Sequence, residues 1–517
     1  MPCRARRIAP LALLVVLASC TPFPAPTASP STSATPSAGP ITLRLLEAED
    51  AQTLDPALID DPVSLAIGKE LFEGLTRLDA SLRPQPGLAQ RWDVQDAGRT
   101  YTFHLRAAHY HSGAAVVAQD AIADWSRALA PQTASPLATF FGPLGAHFPG
   151  DPLSGVQALD ASTLRVTLVR PDSEFLTLLA LPPYWLYDPA STSQPPAGSG
   201  PYVLDAWQHG RHLDLHAVSG GQLEPRVTKV SIDIEPDASR RLDAFRRGQA
   251  DIVHGLAGPQ LLDFARTPAD LQAIHRVPTG RTTWLGFNAV AGSGYSQGER
   301  LAIAHAIDRH RLTDVAFFGS LLAIPATDLL PPGIPGHVDR SLPAFDPAVA
   351  RKGLDDAGFP GPIDLSFSTN ATVGRVARDL QDQIAKATAR TVSLHPLGDF
   401  FNQASQDLLP VMIDTWSADL PHPADILDHI LRGGAQFNNL HIDDPAINEA
   451  LDRADTALTL DAALSADQRA EQFVVDDGRM IPLYSAVEPY LVRPGLRVPF
   501  VGSVVPYRWE DVGAGSG

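Results

Sequence analysis

Apolar and polar residues alternate with period two in RTYTFHLR, residues 99–106, and again in STLRVTLVR, residues 162–170. Both stretches read as half-buried strands. Other stretches carry the longer period of helices. AQDAIADWSRALA, residues 118–130, reads as one, with Asp120 an early acid near its start. GERLAIAHAIDRHRLTDVAFFG, residues 298–319, keeps helical spacing through Leu301, Ala304, Ile307 and Leu312 and ends at Gly319. DPAVARKGLDDAGF is a short helix with Asp346 as N-cap, Pro347 in the first turn and Gly358 at the end. NEALDRADTAL, residues 448–458, is another. No repeat of 20–50 residues interrupts this mixture. Strands and helices alternate without a strict βαβ rhythm, so the fold class expected is α/β with α+β parts.

The N-terminus has a different texture. Arg4, Arg6 and Arg7 precede an 11-residue apolar run, Ile8 to Ala18. That run is too short to span a bilayer and fits the central part of a secretory signal, residues 1–19. It ends in LASC, which resembles the lipobox of bacterial lipoproteins. The resemblance implies cleavage before Cys20 and lipid attachment there, giving a cell-membrane anchor on the extracytoplasmic face. The chain has two cysteines, Cys3 and Cys20, so a chain cut at Cys20 has no thiol to spare for disulfides, catalysis or metal. Residues 20–40 form the lipidated cysteine and a tether. Of the 20 residues after Cys20, 14 are Pro, Ser or Thr, too polar to build a core.

The remaining body, residues 41–517, is larger than one core sustains, so two or three domains are expected. No later apolar run reaches spanning length. The chain carries a net charge of −18, or near −21 once the three leader arginines are gone. Such a body repels nucleic acid and anionic lipid, which argues against both as ligands.

Read in order, the segments resemble the family 5 extracellular solute-binding proteins of ABC transporters, the peptide and nickel binders. The long stretch from Leu71 (LFEGLTRLDASLRPQPGLAQRW) to the helix at Ala118 looks like the family's N-terminal signature. GSGPYVLDAW, RRLDAFRRGQADIV, WLGFNAV, LAIAHAIDRHRL, FDPAVARKGLDDAGF and TWSADLPHPADIL are similar to later family motifs. Ala302 and His305 depart from the Arg and Tyr often found there. The resemblance implies two lobes around a ligand cleft, as in periplasmic binding proteins. Lobe I comprises 41–56, 196–278 and 485–517, with an inserted subdomain at 57–195, and lobe II is 279–484. It also implies a substrate-binding protein without enzymatic activity, cofactor or resident metal. Its partners are a short peptide or other small solute and the permease and ATPase subunits of the transporter.

In peptide-binding relatives the residue matching Asp419 pairs with the ligand's α-amine, and the aromatic matching Trp416 lines the pocket. The physics fits, because every peptide with a free N-terminus carries that ammonium. A structural tryptophan with a turn-capping aspartate remains the alternative. GGAQFNN, residues 433–439, follows. Its glycines admit a ligand close to the backbone, and Phe437 and Asn438 are candidate contacts. Asn288, in the WLGFNAV strand, is a candidate at the hinge or pocket.

Two other chemistries are open. His109 with His111, and His209 with His212, are spaced to share a surface, but neither pair completes a metal set. A nickel-chelate cargo stays possible without such a motif. GYSQG, residues 294–298, fits the G-x-S-x-G elbow of serine hydrolases and makes Ser296 a distant candidate nucleophile. No HGGG-type oxyanion segment accompanies it, and no phosphate-binding loop occurs.

Overall fold

The computed structural model describes residues 40–515 other than 221, 222, 224, 291–293, 407, 408 and 503–505. The expected signal, Cys20 and nearly all of the tether lie outside these residues.

The body begins with strand β1 (Ile41–Glu47), whose alternation buries Leu43 and Leu45. Helix α1 (Pro62–Leu71) follows. Asp61 caps it by accepting the Ser64 N–H at 2.9 Å, and Pro62 occupies the first turn, where no N–H is needed. The next stretch contains a four-stranded antiparallel sheet ordered Ala89–Gln95, Thr100–Leu105, Thr163–Thr167, Val156–Asp160. The two strands expected from period-two alternation are its central pair. Helix Ala118–Leu129 packs on it, and Asp120 accepts the Val117 N–H at 2.9 Å at the helix start. Phe103, Trp125, Phe141 and Tyr184 fill the core between them.

A larger mixed sheet organises the rest. From one edge it runs Tyr202–Gln208, His212–Ala217, β2 (Val227–Ile234), β1, β3 (Ile252–Val253), and then two long strands. These are β4 (Ile274–Phe287) and β6 (Met480–Val492). Beyond β4 lie β5 (Val411–Ser417), Ile363–Ser368 and Val392–Leu397. β1 is parallel to both β2 and β3, while β4 is antiparallel to β6 and β5.

The two long strands join the lobes. Ile274–Pro278 of β4 pairs with Val487–Leu491 of β6. Thr282–Gly286 pairs with Met480–Ser485. The register breaks between Pro278 and Thr282, around Gly280 at φ +69°. The sheet is continuous through this break, and the described residues from 40 onward pack as one compact unit.

Two local features refine the expectations. The helix read over 298–319 is two helices, Gln297–His305 and Arg309–Ala316. Asp308 breaks it by capping the second, accepting the Arg311 N–H at 3.0 Å. An aspartate competes for backbone N–H groups wherever a new helix start is within reach. In GSGPY, a Cβ at Gly198 would lie 2.0 Å from the Leu71 carbonyl oxygen, and one at Gly200 2.4 Å from that of Glu70. The glycines let this segment lie against the end of α1, where the Gly200 N–H donates to the Leu71 carbonyl at 2.9 Å.

Candidate functional site

β5 leaves the sheet at Ser417, and the chain turns at once. The Ala418 N–H donates to the Gly280 carbonyl at 3.1 Å, which ties the turn to the register break in β4. Pro421 and Pro423 then lead into helix α2 (Ala424–Leu431). Asp425, in its first turn, accepts the Asp419 N–H at 2.9 Å. That bond holds the Asp419 backbone while the side chain remains exposed.

Asp419 stands where two cavities meet. One, about 530 Å³, runs between Ile59–Pro62 and Leu65, Leu137 and Phe140, and Thr279, Ala418 and Asp419. The other, about 580 Å³, lies between the insert and α2, with Trp416 and Phe437 on its wall. Trp416 stacks on His429 at 4.9 Å and meets Phe437 edge-on at 5.1 Å. The three rings make an aromatic corner beside the carboxylate.

The second cavity is acidic. Asp172, Glu174, Asp419, Asp425, Asp428 and Asp455 line it, against Arg170 and the imidazoles of His147 and His429. Burial, followed by the charge of Glu174, pushes Asp172 up to about 6 and Asp425 up to about 7. Burial and the neighbouring Asp455 push Asp428 up to about 8. Glu174 behaves otherwise. Burial opposes its charge, but His422, 3.4 Å away and itself buried, holds it below the ordinary value. Asp172, Asp425 and Asp428 therefore hold protons more readily than free carboxyls, and a cation entering the cavity would favour their charged forms. One mouth of the cavity is bridged: the Ser173 N–H donates to the Asp455 carbonyl at 3.1 Å, and Arg170 lies 3.6 Å from the Asp455 carboxylate.

The structure thus brings Asp419, Trp416 and Phe437 together and gives the other candidates different tasks. Asn438 is buried, and its amide staples its own loop. Its N–H groups donate to the Arg432 and Ile442 carbonyls at 3.0 and 2.6 Å, and its oxygen accepts the Ile442 N–H at 3.0 Å. Asn288 is buried past the end of β4, where its oxygen accepts the Val290 N–H at 2.9 Å, and it lines neither cavity. Ser296 is a helix N-cap rather than a nucleophile on an elbow. Its hydroxyl donates to Glu299 at 2.8 Å, and the Glu299 carboxylate accepts the Ser296 N–H, a reciprocal capping box.

His111 lies 3.0 Å from the Gly200 carbonyl, and His212 lies between Asp233 and Asp214. Among the described residues, no group of three or more His, Cys, Asp or Glu side chains could hold a metal ion. Among the same residues, no helix is long and apolar enough to cross a membrane. Sequence reasoning missed the acidic wall. Asp172 and Glu174 sit in RPDSEF, which has no periodicity to announce them. His422 lay within the motif that drew attention to Asp419.

Comparison with known proteins places this geometry. The profile of the bacterial extracellular solute-binding proteins, family 5 (middle), matches residues 83–438, more than half the chain. The glutathione-binding protein GsiB of Escherichia coli (strain K12) is 28% identical over 350 residues, covering 65% of this chain and 65% of GsiB. The match therefore spans just under two thirds of that relative. Among solved structures, the periplasmic murein tripeptide binding protein MppA of Escherichia coli, in its unliganded open form, superposes with a TM-score of 0.83. It is 22% identical, with 92% of this chain and 97% of that one covered. The periplasmic binding protein DppA from Helicobacter pylori, in complex with the peptide STSA, gives 0.62 at 20% identity, covering 92% and 98%. Two lobes joined by paired long strands, a cleft between them and a family profile over most of the body agree: the chain belongs to the bacterial extracellular solute-binding proteins, family 5, which are transport binding proteins and not enzymes.

Proposed function

We propose that this protein is the extracytoplasmic capture component of an ABC importer for short peptides. The observation that carries the reading is the exposed Asp419 carboxylate at the meeting of two cavities between the lobes, beside the Trp416 and Phe437 rings. The α-ammonium of a peptide pairs with Asp419, and the rings flank its first residue. The acidic wall favours a cation over an anion at this end of the cleft. The peptide names of the relatives add support.

Closure takes place at the register break of β4, between Pro278 and Thr282. Residues 41–56, 196–278 and 485–517 move as lobe I, carrying the insert at 57–195 toward lobe II at 279–484. Closure excludes water from the Asp419 pair. The loaded protein is then offered to a membrane permease driven by cytosolic ATPases. Cys20 carries the lipid that keeps the protein at the membrane surface.

Titration of the full-length protein with tri-alanine in a calorimeter is expected to show one saturable site. A flat tri-alanine titration, with saturable binding of a nickel–histidine chelate, would refute the peptide reading in favour of a chelated metal cargo.

A further inference from the structure

A third cavity, about 260 Å³, lies between the large sheet and α1. Leu45, Ile232, Val277 and Tyr490 form its floor, and Val63 and Ala66 of α1 its roof. Its position in the topology is informative. β1 has parallel neighbours on both sides, β2 and β3, so the chain's crossovers part at this strand. In open α/β sheets, ligands lodge beyond the carboxyl ends of the strands at such a point. Glu47 is the last residue of β1 and His254 follows the last residue of β3, and both line this cavity. Pro62 and Thr279 line both it and the 530 Å³ cavity that reaches Asp419, so the two adjoin.

The polar end of the cavity is balanced within itself. His254 has Glu47 at 2.6 Å from one ring nitrogen and Glu488 at 3.2 Å from the other. Both nitrogens must donate, so the ring is an imidazolium. The buried Arg241 guanidinium acts on the same two glutamates from behind, and donates to the Gly255 carbonyl at 2.6 Å. Lys69 is spent on the Tyr507 carbonyl and Glu70. Both carboxylates thus have a partner within the protein, His254. The remaining walls are apolar. The volume falls below that of pockets taking a whole drug-sized solute, which suits one side chain.

We propose that this cavity is a subsite for one bulky uncharged side chain, aromatic or branched aliphatic, of the bound peptide. The proposal rests on the peptide reading above. It is tested by calorimetry on the full-length protein with tri-alanine and the three tripeptides carrying a single Phe. One Phe peptide is expected to bind roughly 10- to 100-fold tighter than tri-alanine, as burial of an aromatic side chain implies. Ala66→Leu and Val63→Phe, each shown to be folded by its thermal melt, are expected to shrink that ratio toward one. Equal affinity of all four peptides for the unmodified protein overturns the subsite and leaves the peptide reading standing. A ratio that persists in both folded variants also overturns it. Failure of all four to bind removes the peptide reading, and the subsite with it.

Discussion

Replacing Asp419 with Asn removes one charge and almost nothing else. The backbone N–H that holds the turn, donating to Asp425 at 2.9 Å, survives the change. The side chain is exposed, so fold stability is expected to move by no more than about 0.5 kcal/mol. The effect on the complex is larger. An ammonium about 3 Å from a carboxylate gains about 1.4 kcal/mol at the dielectric of water and about 5.5 kcal/mol at an effective dielectric of 20. The first figure describes a cleft that stays wet, the second one that closes. Asp419→Asn is therefore expected to weaken a short peptide by about tenfold at least, and by up to about 10⁴-fold with full closure. Calorimetry with tri-alanine and its N-acetylated form, against both proteins, makes a double-mutant cycle. If the ammonium sits on Asp419, acetylation costs the unmodified protein heavily and Asp419→Asn little. Equal, additive losses from the two changes, or a loss under about threefold from Asp419→Asn alone, would refute the assignment.

Stability is expected to fall between pH 7 and pH 10. Burial opposes the charge on His254, but Glu47 and Glu488 outweigh it and hold the ring up to about 10. A raised histidine contributes stability that is complete below its unfolded value, about 6.5, and is lost as pH rises through about 10. The acids raised by burial act in the same direction at lower pH, Asp425 up to about 7 and Asp428 up to about 8, since the folded state holds protons there that the unfolded state has released. His254→Gln is expected to flatten the upper limb in thermal melts at stepped pH, and an unchanged slope would count against it. Gly198→Ala is expected to destabilise by about 3 kcal/mol or more, because its Cβ would meet the backbone oxygen of Leu71 at 2.0 Å, where no flexible side chain can yield. A chemical-denaturation midpoint like that of the unmodified protein would contradict this.

Elements whose signal is local were legible in the sequence. The strand pair over 99–106 and 162–170 and the capped helix at Asp346 follow from alternation and caps, and the structure contains both. The single helix over 298–319 failed because apolar spacing survives a break, whereas the cap at Asp308 depends on which N–H groups are left without partners. At the site, Trp416 and Asp419 were visible because a motif sets them three residues apart before a proline bend, and Phe437 because it sits in the glycine-rich loop that follows α2. Asn438 looked like a ligand contact, because an amide in a glycine-rich loop gives no sign of whether its bonds go inward. The acidic wall comes from segments some 250 residues apart, Asp172 and Glu174 facing Asp425 and Asp428, and only the fold brings them together. The Glu47–His254–Glu488 group was hidden in the same way.

The first lobe is built from both ends of the described chain. β1 borders β3, β3 pairs with Leu491 and Val492, and the Trp509 N–H donates to Glu70 of α1 at 3.0 Å. A ribosome must therefore pass residue 492 before β3 acquires its second neighbour, and residue 509 before α1 gains its bond to the tail. Until then, the outer edge of β3 stays open to exchange with solvent and the chain remains threadable. Assembly of this lobe is thus a late event of synthesis, paced by the arrival of the tail.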